Sequence, residues 1–392
     1  MRRYTQTIIR ILLVILLLTN VSGGGNMAYA LSGSGTPSDP YRISSVEDWN
    51  SCQAFTNDNY DKYFILTADL TVSQMISTEA PYIAGVFDGN GHTLTFNMGP
   101  TTSSCAPFNH VVKNGTIKNL KVKGEIVVSG KYAGGIIANV DARDNGCVTI
   151  QNCISSVTIR STVSGDGTHG GLVALSFGKL EIKDCIFDGQ LLGRNSTHCG
   201  GFVGYSADNC TLENCLFNPK DVNIGNSGSA TFCRPGCSLS NCYYTQSFGE
   251  TIQGESAKKM SNTDLGNAFG HGDGADKNWN LHCDTLYLKP FQRYVDVIGW
   301  ESGKTPNQPT LTGKRADNNS DTNVTYTYTR FGETDGSPDA PTTKGHYTVK
   351  ATVPSGTKVE KSINNSWPAW ESTMNFCVYD APKPIERNYD PK

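Results

Sequence analysis

One phrase recurs between Gly130 and Cys242, and any fold of this chain has to place its copies equivalently. Its first half is a glycine pair and an apolar run: Gly134-Gly135-Ile136-Ile137-Ala138, Gly170-Gly171-Leu172-Val173-Ala174 and Gly200-Gly201-Phe202-Val203-Gly204. Its second half is a tetrad: Ile150-Gln151-Asn152-Cys153, Ile182-Lys183-Asp184-Cys185, Leu212-Glu213-Asn214-Cys215 and Leu239-Ser240-Asn241-Cys242, with an earlier relative at Ile117-Lys118-Asn119-Leu120. The Asn/Asp positions 119, 152, 184, 214 and 241 lie 33, 32, 30 and 27 residues apart. A period of roughly 20 to 50 residues marks a repeat architecture in which each unit buries its neighbour's apolar face.

The tetrad has a physical reading if each unit bends between its third and fourth residue. The first residue points inward and the second outward. Asn or Asp occupies the bend because its short side chain tolerates left-handed backbone, and Cys or Leu points inward again. Stacked on the next unit, such Asn side chains can bond to one another as amide ladders do. The glycine pair permits a tight turn or close backbone approach. Strands of four to six residues without helical periodicity between them predict a parallel β-solenoid rather than a sandwich.

The repeats occupy only part of the 392 residues, so two or three structural units are expected. Arg2, Arg3 and Arg10 precede an apolar run, Ile11 to Leu18, and a polar stretch ending Ala28-Tyr29-Ala30, the pattern of a secretory signal peptide cleaved before Leu31. The apolar run is shorter than the ~20 residues a membrane span needs, so the mature chain is not expected to be integral to the membrane. Without residues 1–30 the chain carries 30 basic against 36 acidic residues, which gives no basis for nucleic-acid binding. Export permits disulfides among the 13 cysteines, but four of them recur at one repeat position. Stacked, buried free thiols are therefore preferred to a disulfide framework.

In chain order, residues 31–83 read as an N-terminal cap. Ser44 with Glu47 forms an expected capping box, and Val46, Trp49 and Phe55 give the ensuing helix one apolar stripe. The β-helix repeats are assigned to 84–244, opening with Val86 to Phe96, where His92 reads as a turn residue. Residues 245–300 read as a C-terminal cap, with a helix begun by Ser261 or Asn262. Residues 301–309 read as a Pro- and Gly-broken linker. In 310–392, the runs Val324–Thr329, His346–Val353 and Met374–Val378 predict a small β-sandwich. The last residues, Asn388 to Lys392, carry no apolar tail, so the chain is expected to be released, held non-covalently, or a truncated member of a longer protein.

The units from Gly134 to Cys215 resemble GLUG-type repeats of bacterial cell-surface proteins. The lead Gly35-Thr36 with Asp39-Pro40-Tyr41-Arg42-Ile43 and Glu47-Asp48-Trp49, and the rung Phe87-Asp88-Gly89-Asn90-Gly91-His92-Thr93-Leu94, are similar to theirs as well. The likeness spans roughly residues 33–300 and implies an all-β chain: a right-handed parallel β-helix with a short N-terminal capping helix, on an exported, surface-associated protein. Trp279 to Leu281 and Leu286 to Phe291 resemble the closing strand of such proteins. Thr342 to Ala351 resembles the Ig-like modules that they string together as stalks. Ala230-Thr231-Phe232 stands where a fourth glycine pair belongs, so the helix is expected to end near there. The resemblance brings no catalytic residues.

Candidate chemistry is sparse. Glycoside hydrolysis needs two carboxylates across a groove, and lyase chemistry needs a calcium-binding acidic cluster beside a base. The clusters available are Asp141 with Asp144 and Asp166 with His169, both read as solvated loop residues. Gly270 to Asp276 lacks EF-hand spacing, and Cys233, Cys237 and Cys242 lack a histidine for zinc. No residue is assigned to catalysis, to a cofactor or to a metal. The expected function is an adhesin-like, non-enzymatic surface protein binding glycans or extracellular or host proteins, with Tyr132, Phe202 and Tyr205 as candidate contacts. The alternative is a secreted polysaccharide lyase or glycoside hydrolase on the same scaffold.

Overall fold

The computed structural model describes residues 31–53, 61–79, 82–272, 277–282, 285–291, 294–297, 299–312, 324–353, 356–360, 363–367 and 370–379. The signal-peptide reading, Phe55 and Asp276 lie outside them. The chain is all-β, with helices confined to short segments, and its repeats form a parallel β-solenoid. Coils stack in register along two large sheets. In the first sheet Tyr41, Phe64, Phe87, Ile117, Ile150, Ile182, Leu212 and Leu239 lie beside one another in that order. In the second, Leu94, Val122, Ser155, Phe187, Phe217 and Tyr244 do the same. Side chains alternate along each strand, so one face fills the lumen. Phe87, Ile117, Ile150 and Ile182 are fully buried there, each contributing about 1.5–3 kcal/mol.

The glycine pairs close the third side of the coil, where Gly134, Gly170, Gly200 and Ala230 bridge in succession. They are required by space rather than by φ. A Cβ on Gly135 would lie 2.0 Å from the Gly171 carbonyl oxygen, and one on Gly171 2.1 Å from that of Gly201. Backbone thus passes where any side chain would collide with the next coil. Ala230 replaces the first glycine of the expected fourth pair, yet it still bridges Gly200 and Thr251. The stack therefore continues through Tyr243–Tyr244 to Glu255–Ser256. Beyond Phe232 the Gln253 side chain substitutes for a further strand: its Oε1 accepts from the Phe232 and Cys233 amides at 3.0 and 2.8 Å, and its Nε2 donates to the Cys233 carbonyl at 2.9 Å. A polar side chain thereby satisfies backbone that would otherwise be an open edge.

At the other end, parallel pairing begins well before residue 84, because Tyr41–Ile43 and Tyr63–Leu66 already belong to the first sheet. Helix α1 (Val46–Ser51) is inserted between those strands. Its capping box is formed by Ser45 and Asp48, one residue beyond the expected Ser44 and Glu47. Asp48 is favoured because its short carboxylate collects the Ser45 amide at 3.1 Å and both the amide and hydroxyl of Ser44 at 2.8 Å. Val46 faces solvent, whereas Trp49 is fully buried, edge-on to Phe87 and Phe108.

The described residues between 257 and 291 lie along the flank of the solenoid. Helix α2 (Asn262–Ala268) is capped by Ser261 and Asp264 and is followed by the hairpin Trp279–His282 with Thr285–Leu288. Leu265, Phe269, Trp279 and Leu288 cover the outward residues Ile154, Leu216 and Tyr243. The strap reaches back to Gly91, where a Cβ would lie 2.1 Å from the Pro290 carbonyl oxygen.

A separate core unites Val297, Trp300, Tyr328, Tyr347, Val349, Ala351 and Val378. These residues belong to a four-stranded sheet ordered Trp300–Glu301, Trp370–Tyr379, Gly345–Val353, Thr325–Arg330, or to the turn leading into it. The linker expected at 301–309 therefore begins inside this sheet, because the Trp300 indole is anchored in it and donates to the Pro341 carbonyl at 2.9 Å.

Gly171→Ala is expected to lower stability by about 3–5 kcal/mol through backbone collision. Gly236→Ala, whose Cβ meets nothing within 4 Å, is expected to change it by less than about 1 kcal/mol. Urea unfolding of the two variants checks the contrast.

Candidate binding face

The bend positions behave as the tetrad predicts. Asn119, Asn152, Asp184, Asn214 and Asn241 all adopt left-handed backbone, with φ of 52, 52, 51, 52 and 49°. Their amides form a ladder: Asn119 Nδ2 donates to Asp88 Oδ1 at 2.9 Å, and Asn152 to Asn119, Asn214 to Asp184 and Asn241 to Asn214 at 3.2 Å each. One link fails. Asp184 has no amide hydrogens, so it cannot donate to Asn152, whose Oδ1 is buried without a partner. The strap fills this gap, since Asp184 accepts from Asn278 Nδ2 at 2.7 Å and from Trp279 Nε1 at 2.9 Å. The ladder is thereby committed to structure on that edge of the coil. The cysteines beside it are also structural: Cys153, Cys185 and Cys215 are fully buried, and each thiol donates to the carbonyl two residues earlier at 3.1–3.3 Å. Burial pushes the Cys185 and Cys215 thiols up, away from the reactive thiolate.

The outward face of the first sheet is differently furnished. Register places His110, Asn139, Leu175 and Tyr205 side by side on four successive coils, all half-buried. Neighbouring strands are about 4.8 Å apart, so the row spans about 14 Å. Tyr82 stacks on the His110 ring at 4.3 Å, and the Arg234 guanidinium lies 5.2 Å over the Tyr205 ring. A second row sets Asp141 beside Phe177, with Arg143 5.3 Å over the Phe177 ring and bonded to both Asp141 oxygens at 2.9 and 2.5 Å. The face thus offers flat rings, planar guanidinium groups and an amide, the groups that stack on or hydrogen-bond to a polar ring-containing ligand.

Asp141, Asp166 and His169 on this side have fixed partners, whereas the buried His110 Nδ1 has none. The Arg143 hydrogen bond holds the Asp141 carboxyl below its ordinary value. Burial pushes the Asp166 carboxyl up, but hydrogen bonds from Lys131 at 2.8 Å and Thr168 at 2.6 Å, with the charges of Lys131 and Arg234, outweigh it and hold that group down too. A glycosidase acid needs the opposite, a carboxyl kept protonated near neutral pH. His169 is fully buried, and its Nδ1 accepts the Ala133 amide at 3.2 Å, so Nε2 carries the hydrogen and donates to Ser161 Oγ at 2.8 Å. This tautomer cannot withdraw the Ser161 proton, and the trio is no nucleophile-and-base pair.

Of the contacts expected from sequence, Tyr205 lies on this face. Phe202 does not: it is fully buried, packed against Phe232 and Phe217, because the residue after a glycine pair points into the lumen. Tyr132 is half-buried, with φ of 71° and its amide bonded to the Gly167 carbonyl. His92 closes the Asn90-Gly91 turn as expected, its amide bonded to the Gly89 carbonyl at 2.8 Å, but its ring is 2% exposed and its Nδ1 lies 2.9 Å from Asp69 Oδ1. Tyr82, His110, Asn139, Phe177 and Arg234 escape sequence reading, because the face is assembled across coils from residues about 30 positions apart. The available signal was the outward parity of each rung. An exposed pair, Cys377 Sγ 3.1 Å from His346 Nδ1, was missed as well. Among the described residues no group of three or more His, Cys, Asp or Glu side chains is placed to hold a metal ion.

No known protein family matches this chain. It is similar to Halomucin of Haloquadratum walsbyi, 30% identical over 178 residues that cover 41% of this chain and 2% of that protein's length. Among solved structures it is similar to a Bacteroides ovatus protein described as a "putative immunoglobulin A1 protease", with a TM-score of 0.47 and 18% identity, covering 66% of this chain and 94% of the other.

Burial pulls the His169 pKa down to about 4 from its ordinary 6.5. The unfolded chain therefore binds the proton first. Stability from this group is fully present above pH 6.5 and is lost as pH falls toward 4, by about 3 kcal/mol in all. Urea midpoints at pH 7, 5.5 and 4 should show this loss, and His169→Asn should flatten it.

Proposed function

We propose that this is an exported, non-enzymatic surface protein whose solenoid binds extended glycans along the outward face of the first sheet. The observation that carries the reading is the in-register row of His110, Asn139, Leu175 and Tyr205, closed at its ends by Tyr82 and Arg234. A polymer of cyclic units laid across the coils would meet one outward side chain at each step, with hydroxyls toward Asn139 and toward the guanidinium groups that lie over the Tyr205 and Phe177 rings. In this reading residues 1–30 direct export, α1 shields the first coils, the units from Gly134 to Cys215 are GLUG-type, and the C-terminal sheet is an Ig-like spacer. The likeness to Halomucin supports a module that is also found within one much longer chain, since the match covers 2% of that protein. No described helix is long and apolar enough to cross a membrane.

The competing reading is a polysaccharide-degrading enzyme on the same scaffold. It is disfavoured because Asp141 and Asp166 are held ionised by basic partners, and His169 presents a hydrogen to Ser161 rather than an acceptor.

Glycan-array binding by the mature chain tests the proposal. Binding to at least one extended polysaccharide is expected, and Tyr205→Ala and Arg234→Ala should each weaken it at least about tenfold with an unchanged circular dichroism spectrum. Depolymerisation of pectins or host glycans that is lost in Asp141→Ala or Asp166→Ala would establish the enzyme reading instead. Binding to proteins alone would replace the glycan.

A further inference from the structure

A cluster of three thiols lies apart from the cysteine stack, at the last regular coil. Register pairs Thr211 with Ser238 and Leu212 with Leu239, which sets Cys237 directly beside Cys210 on the adjoining coil. Cys210 and Leu212 alternate inward, and Cys210 is 3% exposed. Cys237 packs against the same core but is only half-buried, between exposed Gly236 and exposed Ser238. Cys233 bridges Val203 and turns its thiol toward the Gly236 carbonyl at 3.6 Å. Each of the three thiols lies within hydrogen-bonding reach of the other two.

We infer that Cys210 and Cys237 form a redox-responsive cross-link that staples the coil of Ser238–Tyr244 to the one before it. Three observations carry this. Adjacent parallel strands are about 4.8 Å apart, inside the roughly 4.4–6.8 Å between Cα atoms that a disulfide spans. In-register neighbours direct their Cβ atoms the same way, so the two sulfurs meet without backbone movement. Cys237 is also the member of the trio that solvent reaches. Hydrogen bonds from Cys210 and Cys233 lower the Cys237 thiol and so favour its thiolate, whereas Cys210 and Cys233 are raised. The stacked thiols Cys153, Cys185 and Cys215 have comparable spacing but are fully buried, which keeps an oxidant away.

The chemistry is thiol–disulfide exchange with a small-molecule disulfide, RSSR. The Cys237 thiolate attacks one sulfur of RSSR, breaking its S–S bond, forming the mixed disulfide and releasing RS⁻, which takes up a proton. Cys210 then gives up its proton and attacks the Cys237 sulfur, expelling the second RS⁻. Two cysteine thiols are oxidised and RSSR is reduced to two RSH. Cys233 remains a thiol, and excess RSH reverses the two exchanges, returning Cys210 and Cys237 to thiols and regenerating RSSR.

The full chain is incubated, folded, with glutathione disulfide, then thiols are titrated and disulfide peptides mapped by mass spectrometry. The expected result is loss of two thiols, a Cys210–Cys237 peptide, and a thermal midpoint raised by about 5 °C that dithiothreitol reverses. Cys237→Ser should abolish the thiol loss and the shift, while Cys233→Ser, its fold verified by circular dichroism, should retain both. No thiol loss, a Cys233–Cys237 peptide in the native chain, or cross-links spread among the stacked cysteines would each overturn the inference.

Discussion

The left-handed bend at Asn119, Asn152, Asp184, Asn214 and Asn241 is the constraint on which the rest of the solenoid depends. A residue with φ near 50° turns the chain sharply within one position, and Asn and Asp are the side-chain-bearing residues that accept it most readily. Because the bend recurs at one height in these five successive coils, strands on either side stay in register: Ile150 falls on Ile182 in the first sheet and Ile154 on Ile186 in the second. Each coil then repeats its inward parity, and the lumen fills with one continuous apolar column. The amide ladder satisfies polar groups that the bend would otherwise leave unpaired at a crowded edge.

Asp184 is the irregular step in that ladder, and its irregularity has a use. Exchanging an amide for a carboxylate removes a donor and adds acceptor capacity. The missing donor leaves Asn152 Oδ1 unsatisfied, while the added capacity draws Asn278 and Trp279 onto the flank. Trp279 in turn stacks on Phe269 at 4.3 Å, and Phe269 meets Tyr243 edge-on. One residue change in a repeat thus fixes where a non-repeating segment docks, and the docked segment covers apolar residues that would otherwise be wet.

The solenoid, the bend residue, the inward cysteines and the structural use of the glycine pairs were legible in the sequence because each arises from local geometry repeated at a fixed period. The side position of helix α2 and the hairpin after it was not, since it rests on contacts such as Asn278 with Asp184, 94 residues apart, and on an Asp that looks interchangeable with Asn in the pattern. The α1 capping box was misplaced by one residue because Ser44-Ser45 and Glu47-Asp48 offer two registers, and only the reach of the carboxylate separates them. Tyr205 was visible as a candidate contact. Its neighbours were not, because a face built across coils leaves no contiguous motif, and Phe202 was misjudged because residues after the glycine pair face the lumen.

Structural roles are concentrated on two sides of each coil. The bend edge is occupied by the ladder and strap and the lumen by packing, whereas the outward face of the first sheet takes part in neither. The most direct test of this account is hydrogen–deuterium exchange, read by mass spectrometry, on Asp184→Ala beside the parent chain. The account predicts that peptides covering 262–288 lose protection by at least about tenfold while peptides covering 117–128 and 203–217 keep theirs. Unchanged protection of the strap, or loss of protection through every coil at once, would contradict it.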